Sequence, residues 1–243
     1  MRKLLLILLF LSCAVSEENY QKKYVLYCEL DPYFKYQRII FDSTYRVDAP
    51  ITDTAGISGA DIFLISQEGE TIKFEEIQDS IPGVYFSKDT FCIKPSQKYY
   101  LYLQYKEFSL KDSVFIPGDF KILTWKDGDT ISEDSIPELL WTHSDSASIY
   151  YLLIYPEDTS LWLFIHENIA EITSKDTFVE PQFVKPYLES LPSNTQMILK
   201  IRAVDKNLEK YGTGFYSYDC IPNPQVIGVI GASLTKEIKF TKK

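Results

Sequence analysis

The chain has 243 residues, 45% of them apolar and 24% charged, with a net charge of −9. That balance belongs to a folded globular protein and excludes a disordered one. An acidic chain without a basic cluster speaks against nucleic-acid binding and against electrostatic docking on anionic lipid, and solubility is the simplest role for the acid excess.

The first predicted element is a leader. Arg2 and Lys3 form a positive n-region, Leu4 to Leu11 is an unbroken apolar run, and Ser12, Cys13 and Ala14 are small residues at a cleavage position. The run is too short for a bilayer core of roughly 30 Å, which needs about 20 residues, so residues 1–12 read as an export signal. Two cuts compete there. Phe10-Leu11-Ser12-Cys13 resembles the lipobox of bacterial lipoproteins, although Phe10 stands where Leu is usual and Leu11 where a small residue is usual. Cleavage after Ala14 is the rival and would discard Cys13. Because Cys13 sits directly at the end of the apolar run, lipidation at Cys13 is the preferred reading, with residues 13–23 as a lipid-anchored linker. Loss of Arg2 and Lys3 takes the charge from −9 to −11. About 230 residues remain, enough for one large domain or two ordinary ones. No second long apolar run follows.

From Tyr24 onward the chain reads as short strands between turn signals. The runs are Tyr24 to Leu30, Gln37 to Ser43, Asp61 to Ser66, Thr71 to Phe74, Gly83 to Phe86, Phe91 to Ile93, Tyr99 to Tyr105 and Asp112 to Ile116. Gln67-Glu68-Gly69-Glu70, Ile81-Pro82-Gly83 and Lys94-Pro95-Ser96 break them, and this density of short strands predicts a β-sandwich. Tyr100 to Tyr105 is apolar on both faces, as an interior strand should be. Ile116-Pro117-Gly118-Asp119 reads as a seam, giving domains over 24–117 and 118–243.

Beyond the seam the strand-like runs are Leu139 to Thr142, Ser148 to Tyr155, Leu161 to Ile165 and Ile198 to Asp205, with Val226 to Ile230 and Glu237 to Phe240 closing a second sandwich. Apolar residues at 161, 162, 165, 169 and 172 also fit a three-turn helix, so that stretch stays open, with strand preferred for its first half. Aromatic residues make up 15% of the chain, including 18 Tyr, which suits strands; a glycan- or peptide-binding surface is the other use of such tyrosines.

Three cysteines follow the leader: Cys28, Cys92 and Cys220. Export permits disulfides, and Cys28 with Cys92 is the preferred pair, worth about 4 kcal/mol in the chain-entropy model. The alternative is that all three are buried thiols. With no Cys-x-x-Cys and only two histidines, no metal site is expected.

The second half resembles a fibronectin type III domain. Leu139-Leu140-Trp141 matches its core tryptophan strand, Tyr150 to Tyr155 its core tyrosine strand, and Leu191, Pro192 and Thr195 with Arg202-Ala203-Val204 its E–F corner and following strand. Met197 stands where the family has the corner tyrosine, so that tyrosine's hydrogen bond is lost or made otherwise. The register of Leu and Pro is also compressed by one position. The whole chain resembles an uncharacterised family of Gram-negative envelope lipoproteins, often encoded beside TonB-dependent receptors. It does so through Ile57 to Leu64, Gly69, Pro82-Gly83-Val84-Tyr85, Lys98 to Leu101, Arg202 to Asp205 and Gly228 to Ala232. The first-half motifs also occur in prealbumin-like sandwiches. The resemblance implies an all-β fold, prealbumin-like then fibronectin type III-like, and an outer-membrane lipid anchor, but no activity.

No catalytic constellation emerges. His143-Ser144-Asp145 holds the residue types of a triad, but neighbours along a strand or turn point apart, and His166-Glu167 is not a zinc motif. Asp127, Asp129, Glu133 and Asp134 crowd one loop, yet do not match an EF-hand, so a solvated turn is preferred to calcium; Asp205 and Asn207 read the same way. Gly228-x-x-Gly231 lacks the context of a phosphate loop and reads as close backbone approach or turns near an edge strand. The expected protein is therefore a non-enzymatic, cofactor-free envelope lipoprotein acting as a binding or accessory module. Its partners would be a membrane through the lipid anchor and an outer-membrane transporter or extracellular ligand. A structural or adhesive spacer is the alternative, and a glycan- or peptide-directed hydrolase the third reading.

Overall fold

The computed structural model describes residues 21–44, 56–76, 81–88, 92–158, 170–213 and 220–243. The leader, Cys13, residues 161–165 and His166 lie outside the described residues. In the first half come β1 (Tyr24–Leu30), β2 (Arg38–Ser43), β3 (Asp61–Ser66), β4 (Thr71–Glu76), β5 (Val84–Ser87), β6 (Lys98–Tyr105) and β7 (Phe108–Phe115). The second half has β8 (Asp129–Ile131), β9 (Leu139–Leu140), β10 (Ile149–Pro156), β11 (Ala170–Ser174), β12 (Phe178–Val179), helix α1 (Pro181–Glu189), β13 (Thr195–Val204), helix α2 (Lys206–Thr213) and β14 (Val226–Lys242).

The fold is all-β, with two sandwich halves and two cores. In the first half every second residue is apolar and points inward: Leu26, Cys28 and Leu30 from β1, Ile62 and Leu64 from β3, Tyr99, Leu101 and Leu103 from β6. The sheet runs β14-β1-β2-β5-β4-β3-β6-β7 and curls until β7 lies beside β14, enclosing that core. As expected, β6 is interior to the sheet, between β3 and β7. Its outward tyrosines are covered by lysines, Lys98 over Tyr100 at 5.2 Å and Lys111 over Tyr102 at 5.0 Å. Residues 92 and 93 do not pair as a strand, but Ile93 still enters the core. In the second half, β11-β10-β13-β14, with β8 beside β14, is faced by the β9–β12 ribbon and α1 over Phe120, Trp125, Trp141 and Tyr150. Trp141 and Tyr150 pack edge to face at 5.3 Å. The corner that lacks a tyrosine is tied instead by the Thr195 hydroxyl, which donates to the Pro192 carbonyl at 2.6 Å.

The main departure is β14. Two separate strands closing the second sandwich were expected, but residues 226–242 form one strand of 17 residues shared by both halves. Val226 to Ala232 pair in parallel with all of β1, and Ser233 to Lys242 pair antiparallel with β13. Ile221, Val226, Ile230 and Ala232 therefore fill the first core, across the expected boundary at 117. The physical reason is that β1 would otherwise leave seven residues of unpaired edge. The glycines of this strand serve close approach, in a central strand rather than near an edge. Gly228 sits at φ +124°, where a Cβ would fall 2.0 Å from the Leu26 carbonyl oxygen, and a Cβ on Gly231 would meet Leu208 of α2 at 2.6 Å.

A buried carboxylate ties the end of β1 to β14. Asp31 is fully buried, and its Oδ2 accepts from the Ser233 hydroxyl at 2.7 Å and the Thr235 hydroxyl at 2.5 Å. Its Oδ1 accepts from the backbone N–H of Tyr33 at 2.9 Å and of Thr235 at 3.3 Å. A desolvated carboxylate survives only when its lone pairs are taken up in this way.

Neither helix is expected from the sequence. In α1, Pro181 lies in the first turn, where no N–H is needed, and Val184 and Leu188, four apart, fill the second core. The interior Pro186 masks this pattern in sequence. In α2, Asp205 is not a solvated loop acid but the N-cap, accepting the Leu208 N–H at 2.9 Å, while the Asn207 amide donates to the Ile230 carbonyl at 2.9 Å. Leu208 buries with Ile149, Val204 and Val229 on the face of β14 opposite the two main cores.

The expected disulfide is not made. Cys28 is a free thiol in the first core, its pKa pushed far up by burial, and Cys92 is a free thiol at the surface. The inward register of β1 aims Cys28 away from the surface where Cys92 lies.

Three outcomes follow. In the native protein a maleimide modifies Cys92, and Cys28 reacts only once denaturant opens the core; equal native rates would overturn this placement. Asp31→Ala, which strands the Thr235 hydroxyl and N–H and the Tyr33 N–H, lowers unfolding stability by about 2–4 kcal/mol in urea titrations. Burial, working against three backbone N–H groups, raises the Asp205 carboxyl from 3.8 to about 6. Its charged form therefore costs stability above about pH 6, and that cost disappears as pH falls toward 4, so acidification favours the fold here. Asp205→Asn keeps a capping side chain without the charge. The wild type should gain on this variant by up to about 3 kcal/mol between pH 7 and pH 4, read from paired denaturation curves.

Candidate functional site

The outward face of the shared sheet, between the loop after β1 and helix α2, carries the chemistry. The loop is built from the sequence upward. Asp31-Pro32 begins a turn: Oδ1 of Asp31 takes the Tyr33 N–H, and the Asp31 carbonyl takes the Phe34 N–H at 3.1 Å. The buried Gln37 amide then plugs the loop, donating to the carbonyls of Asp31 at 3.0 Å and Phe34 at 2.9 Å and accepting the Asp31 N–H at 3.0 Å. With every inward polar group used, the aromatic side chains are left outside: Tyr33 is 44%, Phe34 52% and Tyr36 47% exposed.

Two clefts meet under this loop. One, of about 330 Å³, is walled by Phe34, Tyr36 and Phe86 and reaches Arg38. The other, of about 260 Å³, is lined by Tyr151, Leu153, Arg202 and Tyr211. Tyr27 and Glu29 line both. Volumes of this order, lined by aromatic rings together with Glu29, Gln37, Arg38 and Arg202, suit a small polar ligand or part of a larger one.

Glu29 is the polar centre. Its Oε1 accepts from the Arg202 guanidinium and lies 2.8 Å from the Ser233 hydroxyl, whose single proton it shares with Asp31; its Oε2 accepts from the Tyr27 hydroxyl at 2.7 Å. Burial first, and the Glu29 charge second, hold the Tyr27 phenol well above the usual tyrosine range. Arg38 is the direct cross-strand partner of Glu29 on β2. Its exposed guanidinium has neither ion pair nor hydrogen bond among the described residues. A second polar group extends the face. The Tyr33 hydroxyl donates to Glu237 at 2.6 Å, Lys200 pairs with Glu237 at 3.3 Å, and the Lys200 ammonium lies 4.9 Å from the Tyr33 ring centre and 5.5 Å from that of Tyr155.

The sequence-marked chemistry lies elsewhere. His143 is exposed and lines neither cleft. Ser144 is buried, its hydroxyl donating to the Gly118 carbonyl at 2.6 Å and its N–H to the Tyr150 hydroxyl at 2.8 Å, so it pins the seam between the halves. The acid loop is divided among structural duties. Asp127 accepts the Lys239 N–H at 2.8 Å, Asp129 the Lys126 N–H at 2.8 Å, and Glu133 pairs with the buried Lys242 at 2.8 Å. Among the described residues no three His, Cys, Asp or Glu side chains gather as a metal site. The loop over 31–37 is absent from the sequence reading. Its usable signal is Asp31-Pro32 followed by Tyr33, Phe34 and Tyr36 in a stretch with no strand alternation.

No family model matches the chain, and no curated protein matches it. Among solved structures the chain is similar to the fibronectin(III)-like modules of Clostridium thermocellum CbhA, at 9% identity over 92% of this chain and 94% of that chain, with a TM-score of 0.27. It is similar to a DUF4785 family protein from Legionella pneumophila at 10% identity over 72% and 50%, with a TM-score of 0.23. Titin domains I67–I69 give 8% identity over 93% and 65%, with a TM-score of 0.22. Likenesses at these scores carry no argument about function.

Proposed function

We propose that this protein is a non-catalytic cell-envelope lipoprotein, held by acyl chains on Cys13, which acts as a binding or accessory module through the two-lobed cleft over Glu29. The observation that carries the reading is the loop over 31–37. There the Gln37 amide is spent on the loop's own backbone, and Asp31 takes the Tyr33 N–H while anchoring the loop to β14, which leaves Tyr33, Phe34 and Tyr36 exposed beside a cleft. Exposed aromatics on a rigid support favour recognition, since each orders few torsions for a large contact area. An outer-membrane TonB-dependent transporter is the partner that the lipoprotein resemblance suggests.

Two measurements test this. Intact mass of protein from its native membrane should begin at Cys13 with added acyl chains, lost in Cys13→Ala; a chain beginning at Val15 without lipid would overturn the anchor. Crosslinking in solubilised envelopes should recover an outer-membrane partner, and Phe34→Ala with Tyr36→Ala should reduce recovery about tenfold or more. Recovery unchanged by that pair would remove the cleft from the function and leave the spacer role.

A further inference from the structure

Arginine is scarce here: the described residues contain two, Arg38 and Arg202, against many lysines, and both line the clefts that share Glu29. The two are not equivalent. Arg202 is committed to Glu29 Oε1, and Glu29 Oε2 is taken by the Tyr27 hydroxyl. Arg202 is thereby neutralised, which leaves Arg38 as a positive group whose planar donors are unspent among the described residues. Around it stand three rings, Phe34, Tyr36 and Phe86, none of which is buried in the core.

Resting on the binding role proposed above, we infer that the larger cleft takes an oligosaccharide bearing a carboxylate, a uronate-type sugar. The C–H faces of the sugar would lie on Tyr36, Phe34 and Phe86 and the carboxylate on Arg38. The chemistry of each wall selects this class. The exposed rings of Phe34 and Tyr36, with the half-buried Phe86, suit the apolar face of a pyranose, and a guanidinium matches a carboxylate two bonds at a time. The chain as a whole is acidic, so a diffuse positive field does not gather anions here and a placed arginine is needed to accept one. A peptide strand fits less well. β1 is paired on both sides, by β14 and β2, and β2 by β1 and β5, so the cleft floor offers no open sheet edge for added backbone bonds.

The test titrates the full chain in detergent with tetrasaccharides of galacturonate, glucuronate and mannuronate, followed by calorimetry. Methyl-esterified galacturonate and maltotetraose serve as uncharged controls, and a tetraglutamate peptide as a charge-only control. At least one uronate should bind, with the esterified and neutral sugars and the peptide at least tenfold weaker. Arg38→Gln should remove that preference for charge, and Tyr36→Ala should weaken all sugars together; both residues are exposed, so both variants should keep wild-type melting temperatures. Equal binding of uronate and ester, or of uronate and tetraglutamate, would overturn the inference, as would no binding to any uronate. If the sugars fail while Phe34→Ala with Tyr36→Ala still loses the crosslinked envelope partner, the binding role stands and only the ligand class falls. If both assays are blind to the cleft, both fall.

Discussion

Strand β14 spans both halves of the molecule, and β1, β13 and β8 are placed by pairing along it. Its first seven residues complete the sheet of the first core, and its last ten complete that of the second. Gly231 to Thr235, where the one set passes into the other, sit where the two sheets become one. Hydrogen bonding along a strand is obligatory, so the halves cannot part without exposing a whole edge. This makes the junction a rigid floor, and the candidate cleft is built on it.

Side-chain chemistry at that junction is layered. Asp31 is buried and fully hydrogen-bonded, so it fixes the register between β1 and β14 and starts the loop that follows. Glu29, two residues earlier on the same strand, faces the other way in the pleat relative to Leu30 and meets solvent, Tyr27 and Arg202. One short stretch, Tyr27 to Gln37, thus supplies a core strand, a buried pin and an exposed aromatic loop. The helix α2 closes the far side through Gly231 and the Asp205 cap. Structure and candidate site share residues, and for this reason damage to Asp31 would be felt in both.

Much of the fold was legible from the residues. Period-two alternation with Gly and Pro punctuation located β1, β3 and β6 nearly to the residue, because each has one face in a core and one outside. Trp141 and Tyr150 were marked as core by the resemblance to a fibronectin type III domain, and both are buried in the second core. The helices were not. Eight or nine residues with an interior proline, or with a buried N-cap that looks like a solvated acid, carry too little periodic signal. The Cys28–Cys92 pairing failed because pairing depends on where side chains point in space, which spacing along the chain does not state.

The candidate site shows the same division. Composition and pattern by themselves determined that this is an acidic all-β protein rich in strand-borne tyrosines. Local sequence suffices there, because alternation, turn residues and charge act within a few residues of one another. Tertiary structure alone decided that residues 226–232 belong to the first core, that Asp31 meets Ser233 and Thr235, and that Glu29 meets Arg202. Those partners lie more than 170 positions apart in sequence. Only the parallel pairing of β14 with β1 brings them within hydrogen-bond reach.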